Sequence, residues 1–195
     1  FGHAGQKCSA ASRAYIPSSI WTKLRGLLLE ECSKIKVDSP EEFTFMNSVI
    51  SKVSFDKTMK YINNAKKSSD AEIMFGGSGN DSVGYFIQPT IIVAKTSNYE
   101  TMHEEIFGPV ITIYVYEDED FDQTIQLVDS TGNYALTGSI FATDKEIIKK
   151  VLNELDFAAG NFYINDKPSG AVVNQQPFGG ARKSGTNDKA GSMIN

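Results

Sequence analysis

Val110-Ile111-Thr112-Ile113-Tyr114-Val115-Tyr116 is seven consecutive β-branched or aromatic residues with no charge among them. Side chains of this kind suit a pleated surface, and an unbroken run of them suits a strand buried on both faces. The acidic Glu117-Asp118-Glu119-Asp120 ends the run. Phe121 to about Val128 then carries apolar residues at helical spacing, so strand gives way to helix. The same alternation extends outward on both sides. Toward the N-terminus, Tyr85 to Ala94 reads as a strand interrupted by Pro89, and Ala71 to Phe75 as a short one. Between that strand and Val110, Tyr99 to Ile106 reads as a short helix stopped by Gly108-Pro109. Toward the C-terminus, Gly138 to Ala142 is a strand, Lys145 to Leu155 a helix and Asn161 to Asn165 a strand. Two helices precede all of this, at Ser19 to Ile35 and at about Val53 to Ala65. In the first, Ile20, Leu24, Leu27, Leu28, Cys32 and Ile35 form the expected apolar stripe. The fold class expected is α/β, a largely parallel open sheet covered by helices.

The bulk numbers fit one such domain. The 195 residues are 41% hydrophobic and 22% charged, ordinary for a globular chain long enough to bury a core. A net charge of −5, with lysines and arginines scattered, argues against a nucleic-acid partner. No apolar stretch reaches the length of a membrane span. Two cysteines, Cys8 and Cys32, make no disulfide framework, and with only two histidines, all far apart, no zinc spacing arises, so no metal is expected. The chain begins without an initiator Met and is expected to be cut at both ends.

Four segments invite chemistry. Cys8 lies in the small polar loop Gly5-Gln6-Lys7-Cys8-Ser9-Ala10, beside the cation Lys7, which is the setting of a nucleophilic thiol, although a structural loop cysteine fits as well. Cys32, on an apolar stripe, reads as core. Gly76 to Gly79 follows a strand but lacks the third glycine and the following helix of a dinucleotide fingerprint, so it reads as a hairpin turn. Glu104-Glu105-Ile106-Phe107-Gly108-Pro109 is either a solvated acidic turn or a carboxylate and an aromatic placed for a ribose diol and a flat ring. Gln175 to Gly185 is either a Gly-rich tail or a loop that packs Phe178 on a ligand; it lacks the Gly-Lys-Ser order of a phosphate loop.

Taken in order, Gly5-Gln6-Lys7-Cys8, Glu105-Ile106-Phe107-Gly108-Pro109 and Pro177-Phe178-Gly179-Gly180 resemble the aldehyde dehydrogenase superfamily. Three narrower stretches resemble its pyrroline-5-carboxylate dehydrogenase branch: Gly160 to Lys167, Gln175 to Arg182 and Ser184 to Lys189. The resemblance covers the whole chain and implies the catalytic domain, with a dinucleotide-binding domain, a general-base Glu and an oxyanion Asn outside it. It implies Cys8 as the nucleophile, with NAD as cofactor held through Glu105 and Phe107. It further implies glutamate semialdehyde as the small-molecule substrate, held by Ser9, Gly170, Ala171 and Phe178. Proline catabolism, a mitochondrial matrix location and a homodimer or larger assembly follow from the same resemblance. Asn174 departs from it, standing where relatives carry Gly. Two other readings compete: an aldehyde dehydrogenase for a different aldehyde, and a non-catalytic protein that keeps the fold.

Overall fold

In the computed structural model, which describes residues 1–172 and 174–191, the Val110–Tyr116 run is a strand at the middle of a mixed sheet. The elements in order are β1 (Arg13–Pro17), α1 (Ser18–Ser33), α2 (Lys52–Lys67), β2 (Ala71–Phe75), β3 (Gly79–Asn80), β4 (Phe86–Ile87), β5 (Thr90–Ala94), α3 (Glu100–His103) and β6 (Val110–Tyr116). Then follow α4 (Phe121–Ser130), β7 (Tyr134–Ala135), β8 (Thr137–Ile140), α5 (Lys145–Glu154), β9 (Asn161–Ile164) and β10 (Ala181–Arg182). The chain packs as two compact units, Phe1–Phe121 and Asp122–Asn195.

In the first unit the sheet order is β1-β6-β5-β2. β6 runs parallel to both β1 and β5, and β2 closes the edge antiparallel. Successive strand residues point to opposite faces, which is why Ile91 and Ile92 enter different cores. Ile91 and Ile113 meet Cys32, with Trp21 and Leu28 of α1 around them. Ile92 and Val110 meet Phe55, Ile62 and Ala65, the stripe of α2. Helices therefore cover both faces, as the uncharged run implied. Ser51 caps α2 by accepting from Ser54 N–H at 3.2 Å. Asp118, just past β6, accepts from Ser19 N–H at 3.0 Å and Ser19 Oγ at 2.6 Å, so it caps α1 from a distance. These bonds hold its carboxyl below the ordinary range.

Several expectations shift. The stripe of α1 is rotated: Ile20 and Leu27 are each half exposed, and Trp21 takes the inward place beside Leu28 and Cys32. The segment expected as one strand from Tyr85 divides at Pro89, which cannot donate to a ladder, into β4 and β5. The expected hairpin at Gly76 holds a second, smaller one, β3 on β4. Helix α3 stops at His103, because Glu104 turns extended. Strands β1, β7 and β10 are additions.

In the second unit β8 and β9 pair in parallel, and β10 pairs with β7. Asp144 caps α5 by accepting from Glu146 and Ile147 N–H. Among the described residues no helix is long and apolar enough to cross a membrane, and no group of three or more acidic, histidine or cysteine side chains could hold a metal ion.

Candidate active site

The first unit brings the cysteine loop against the Glu-Phe segment. Residues His3, Ala4 and Gly5 are all in the left-handed region (φ +52°, +54° and +69°), a tight entry that buries Ala4. Gln6 ties this entry down: its Nε2 donates to His3 O, and its Oε1 accepts from Ile50 N–H at 2.9 Å. The next turn closes when Ala10 N–H donates to Lys7 O at 3.1 Å, which leaves Cys8 and Ser9 as its two central residues. Cys8 is free and exposed, whereas Cys32 is 5% exposed and its thiol is pushed up chiefly by burial. The two cysteines thus stand where their surroundings in the sequence implied.

Gly5 is the contact point. A side chain there would collide with the carbonyl of Gly108, so the cysteine loop lies directly on the Gly108–Pro109 peptide. Gly108 in turn lies on Thr58 of α2. A pocket forms between the two segments, lined by Gly5 and Ala10 to Ser12 on one side and by Glu104 to Gly108 on the other. Phe107 is 43% exposed with φ +58°, an uncommon conformation for a bulky residue. Glu105 keeps open solvent area, yet its carboxyl sits above the ordinary range; burial among neighbouring atoms is the largest cause, opposed by Lys57 and Arg13. Lys57 also donates to the Glu105 carbonyl at 2.5 Å. Reading the sequence alone missed Lys57, a lysine on a helix with nothing to set it apart.

An exposed aromatic beside a carboxylate acceptor, over a floor of glycine and alanine, suits a ribose diol and a flat heterocycle. The residue types present at Glu105 and Phe107 are compatible with holding NAD.

Gly170, Ala171 and Phe178 belong to the second unit. Gly170 packs against the ring of Tyr163, so closely that a Cβ would lie 3.1 Å from Cε1. The Tyr163 phenol is raised mainly by burial and then by Asp166, against a lowering by the backbone of Ala171. Downstream, Val172 N–H donates to Gln176 Oε1 at 2.7 Å. Asn174 has φ +67°, a conformation natural to glycine and tolerated by asparagine. Phe178 is half-buried and forms a two-bond bridge with Ala190.

A sequence profile of the aldehyde dehydrogenase family matches residues 1–194. The delta-1-pyrroline-5-carboxylate dehydrogenase of Dictyostelium discoideum, mitochondrial by name, is 55% identical over 196 residues, covering 100% of this chain and 35% of that protein. The human enzyme of the same name is 52% identical, with 98% and 34% covered. Among solved structures, the delta-pyrroline-5-carboxylate dehydrogenase of Mycobacterium tuberculosis bound with NAD superposes with a TM-score of 0.86 at 41% identity, over 97% of this chain and 34% of that one. A Thermus 1-pyrroline-5-carboxylate dehydrogenase with bound NAD gives 0.88 at 33% identity, over 97% and 36%. This chain spans about a third of the length of the relatives it matches.

Proposed function

The chain belongs to the aldehyde dehydrogenase family, and we propose that it carries the catalytic cysteine of an NAD-dependent enzyme that oxidises glutamate semialdehyde to glutamate in proline catabolism. The observation that supports this reading is the seating of Gly5 on Gly108, with Ala10, the last residue of the Cys8 turn, lining one pocket with Glu105 and Phe107. We take the whole chain as part of one catalytic domain, as the family match over residues 1–194 supports. A mitochondrial matrix location and a homodimer or larger assembly are part of the proposal, the first supported by the mitochondrial names of the relatives.

Cys8 bonds as thiolate to the aldehyde carbon, and the carbonyl electrons move to oxygen, giving a thiohemiacetal. Its exposed place at the centre of a turn leaves its sulfur free to attack a substrate arriving from solvent. The backbone N–H of Cys8 donates to the resulting oxyanion. NAD, when bound, supplies the hydride acceptor for the oxidation. The sulfur of Cys8 then holds the acyl group as a thioester until water releases glutamate. Glu105 would accept from the ribose hydroxyls of that cofactor, and Phe107 would pack beside its nicotinamide. By the resemblance, Ser9 is a substrate-binding residue of the first unit; Gly170 and Ala171, through their backbone N–H groups, and Phe178, through its ring, are substrate-binding residues of the second.

Substrate choice is the discriminating test. Hydrogen bonds to a charged group contribute roughly 1.5–3 kcal/mol each. In the full-length protein, Ala171→Pro removes one donor. It is expected to lower kcat/KM for glutamate semialdehyde about ten- to a hundredfold, and far less for an aldehyde of similar length without the carboxylate. Equal losses with both aldehydes, or none with either, would point to a different aldehyde.

A further inference from the structure

Asn161 opens β9, where its own N–H donates to Leu136 O at 2.9 Å and its backbone pairs with Thr137. The side chain reaches across to the segment that carries Phe178 and takes hold of it on both sides. Nδ2 donates to the carbonyl of Pro177 at 2.9 Å, and Oδ1 accepts from Gly179 N–H at 3.2 Å. A carbonyl only accepts and an amide N–H only donates, so these partners fix which way the carboxamide faces. On its other edge the same segment is held by Ala190: Phe178 N–H donates to Ala190 O at 2.9 Å, and Ala190 N–H to Phe178 O at 3.0 Å. Lys189 adds a third hold, its ammonium donating to the carbonyls of both Gly160 and Gly179.

The backbone around Phe178 is thereby paired before it, at it and after it. This matters because Gly179 and Gly180 follow directly, and glycine is the residue with the most backbone freedom to lose. Left to itself, such a segment would let the ring swing. Asparagine suits the task because one short side chain carries a donor and an acceptor together. Aspartate of the same size would face the Pro177 carbonyl with an oxygen.

We propose that Asn161 is a positioning residue that fixes the Phe178 ring against the aliphatic chain of the substrate, a role that rests on the reading of Phe178 given above. The consequence is kinetic and specific. Asn161 touches no reacting atom, so its loss weakens the grip on the substrate chain more than it slows the chemistry.

The test is a double-mutant cycle in the full-length protein, assayed with glutamate semialdehyde and NAD. Asn161→Ala is expected to raise KM about tenfold while kcat falls less than about threefold. Phe178→Ala is expected to raise KM at least as much. The double variant is expected to match Phe178→Ala, because a clamp has no effect once the ring it holds is gone. If Phe178→Ala raises KM and Asn161→Ala does not, or if the two effects add, the proposal is overturned and the reading of Phe178 stands. If Phe178→Ala leaves KM unchanged, that reading fails and takes the proposal with it. Should Asn161→Ala not fold, Asn161→Asp keeps the size and the acceptor, removes the donor to Pro177, and is expected to raise KM in the same way; an unchanged KM there overturns the proposal equally.

Discussion

A single methyl group added at two glycines of the first unit should have opposite effects. At Gly5, alanine meets a left-handed backbone (φ +69°) and a Cβ position already filled by the carbonyl of Gly108, with Pro109 N at 3.1 Å. The conformational term for an L-residue there is roughly 1–2 kcal/mol. The collision is with backbone, which cannot rotate aside as a side chain would, and overpacking of that kind costs roughly 1–3 kcal/mol. Together Gly5→Ala should destabilise by about 2–5 kcal/mol, a large share of the roughly 5–15 kcal/mol of a typical domain. At Gly26, within α1, nothing lies within 4 Å of the added Cβ and the backbone is already helical. Gly26→Ala should therefore stabilise by about 0.5–1 kcal/mol. Urea unfolding of the 195-residue chain reads both, because its one tryptophan, Trp21 of α1, packs against the core cluster of Cys32, Ile91 and Ile113. Activity in the full-length protein should fall with Gly5→Ala, since the methyl drives the Cys8 turn away from Glu105 and Phe107, and should be kept with Gly26→Ala. A Gly5→Ala variant within about 0.5 kcal/mol of the parent would refute the seating of the loop on Gly108.

Cys8→Ala should abolish dehydrogenase activity in the full-length protein and Cys32→Ala should leave most of it; comparable turnover in the Cys8→Ala protein would remove the nucleophile assignment. Glu105→Gln should weaken NAD binding and change stability with pH. A carboxyl whose folded value lies above its unfolded one binds protons more readily in the folded state, so stability falls as pH rises through that interval. The glutamine variant should then melt slightly higher than the parent at neutral pH and level with it below the carboxylate range. Solvent access at Glu105 keeps the gain small, and a lower melting temperature at neutral pH would contradict burial as the main cause.

What the sequence disclosed follows from what has a period. β2 and β6 are read residue for residue, and α2 to within two residues, since each has a long uniform pattern and a sharp stop. The α1 stripe is expected through Ile20 and Leu27, but positions 24, 28 and 32 belong equally to a stripe through Ile20 and to one through Trp21; packing on Ile91 and Ile113 decides for tryptophan. β1 begins with Arg13 and ends with Pro17, five residues with no clear alternation, and owes its existence to pairing with β6. β7 and β10, two residues each, have no period at all. Among the candidate site residues, residue type and setting leave Cys8, Glu105 and Phe107 with a structural alternative each, and their roles come from the resemblance of the motifs around them. Lys57 and Asn161 are not legible, because each acts on backbone distant in sequence, 48 and 16 to 18 residues away.

The two units use the same device for their loops, a glycine pressed on a peptide carbonyl, and the second instance separates what the first combines. At Gly160 a Cβ would collide with the carbonyl of Gly179, yet Gly160, unlike Gly5, does not lie in the left-handed region. Alanine there bears the collision alone, roughly 1–3 kcal/mol. That collision falls on a shared point, because the Lys189 ammonium donates to both the Gly160 and the Gly179 carbonyls, and Gly179 N–H is held by Asn161. Moving Gly179 away from β9 therefore strains the bridge between Phe178 and Ala190 as well. Gly160→Ala should speed amide hydrogen exchange at Phe178 and Ala190, the two donors of that bridge, and leave exchange along α5 near its parent value. Unchanged protection at Phe178 and Ala190 would mean that the Gly-rich segment holds its place without β9. Faster exchange throughout α5 would mean that the methyl unfolds the unit as a whole instead of releasing its loop.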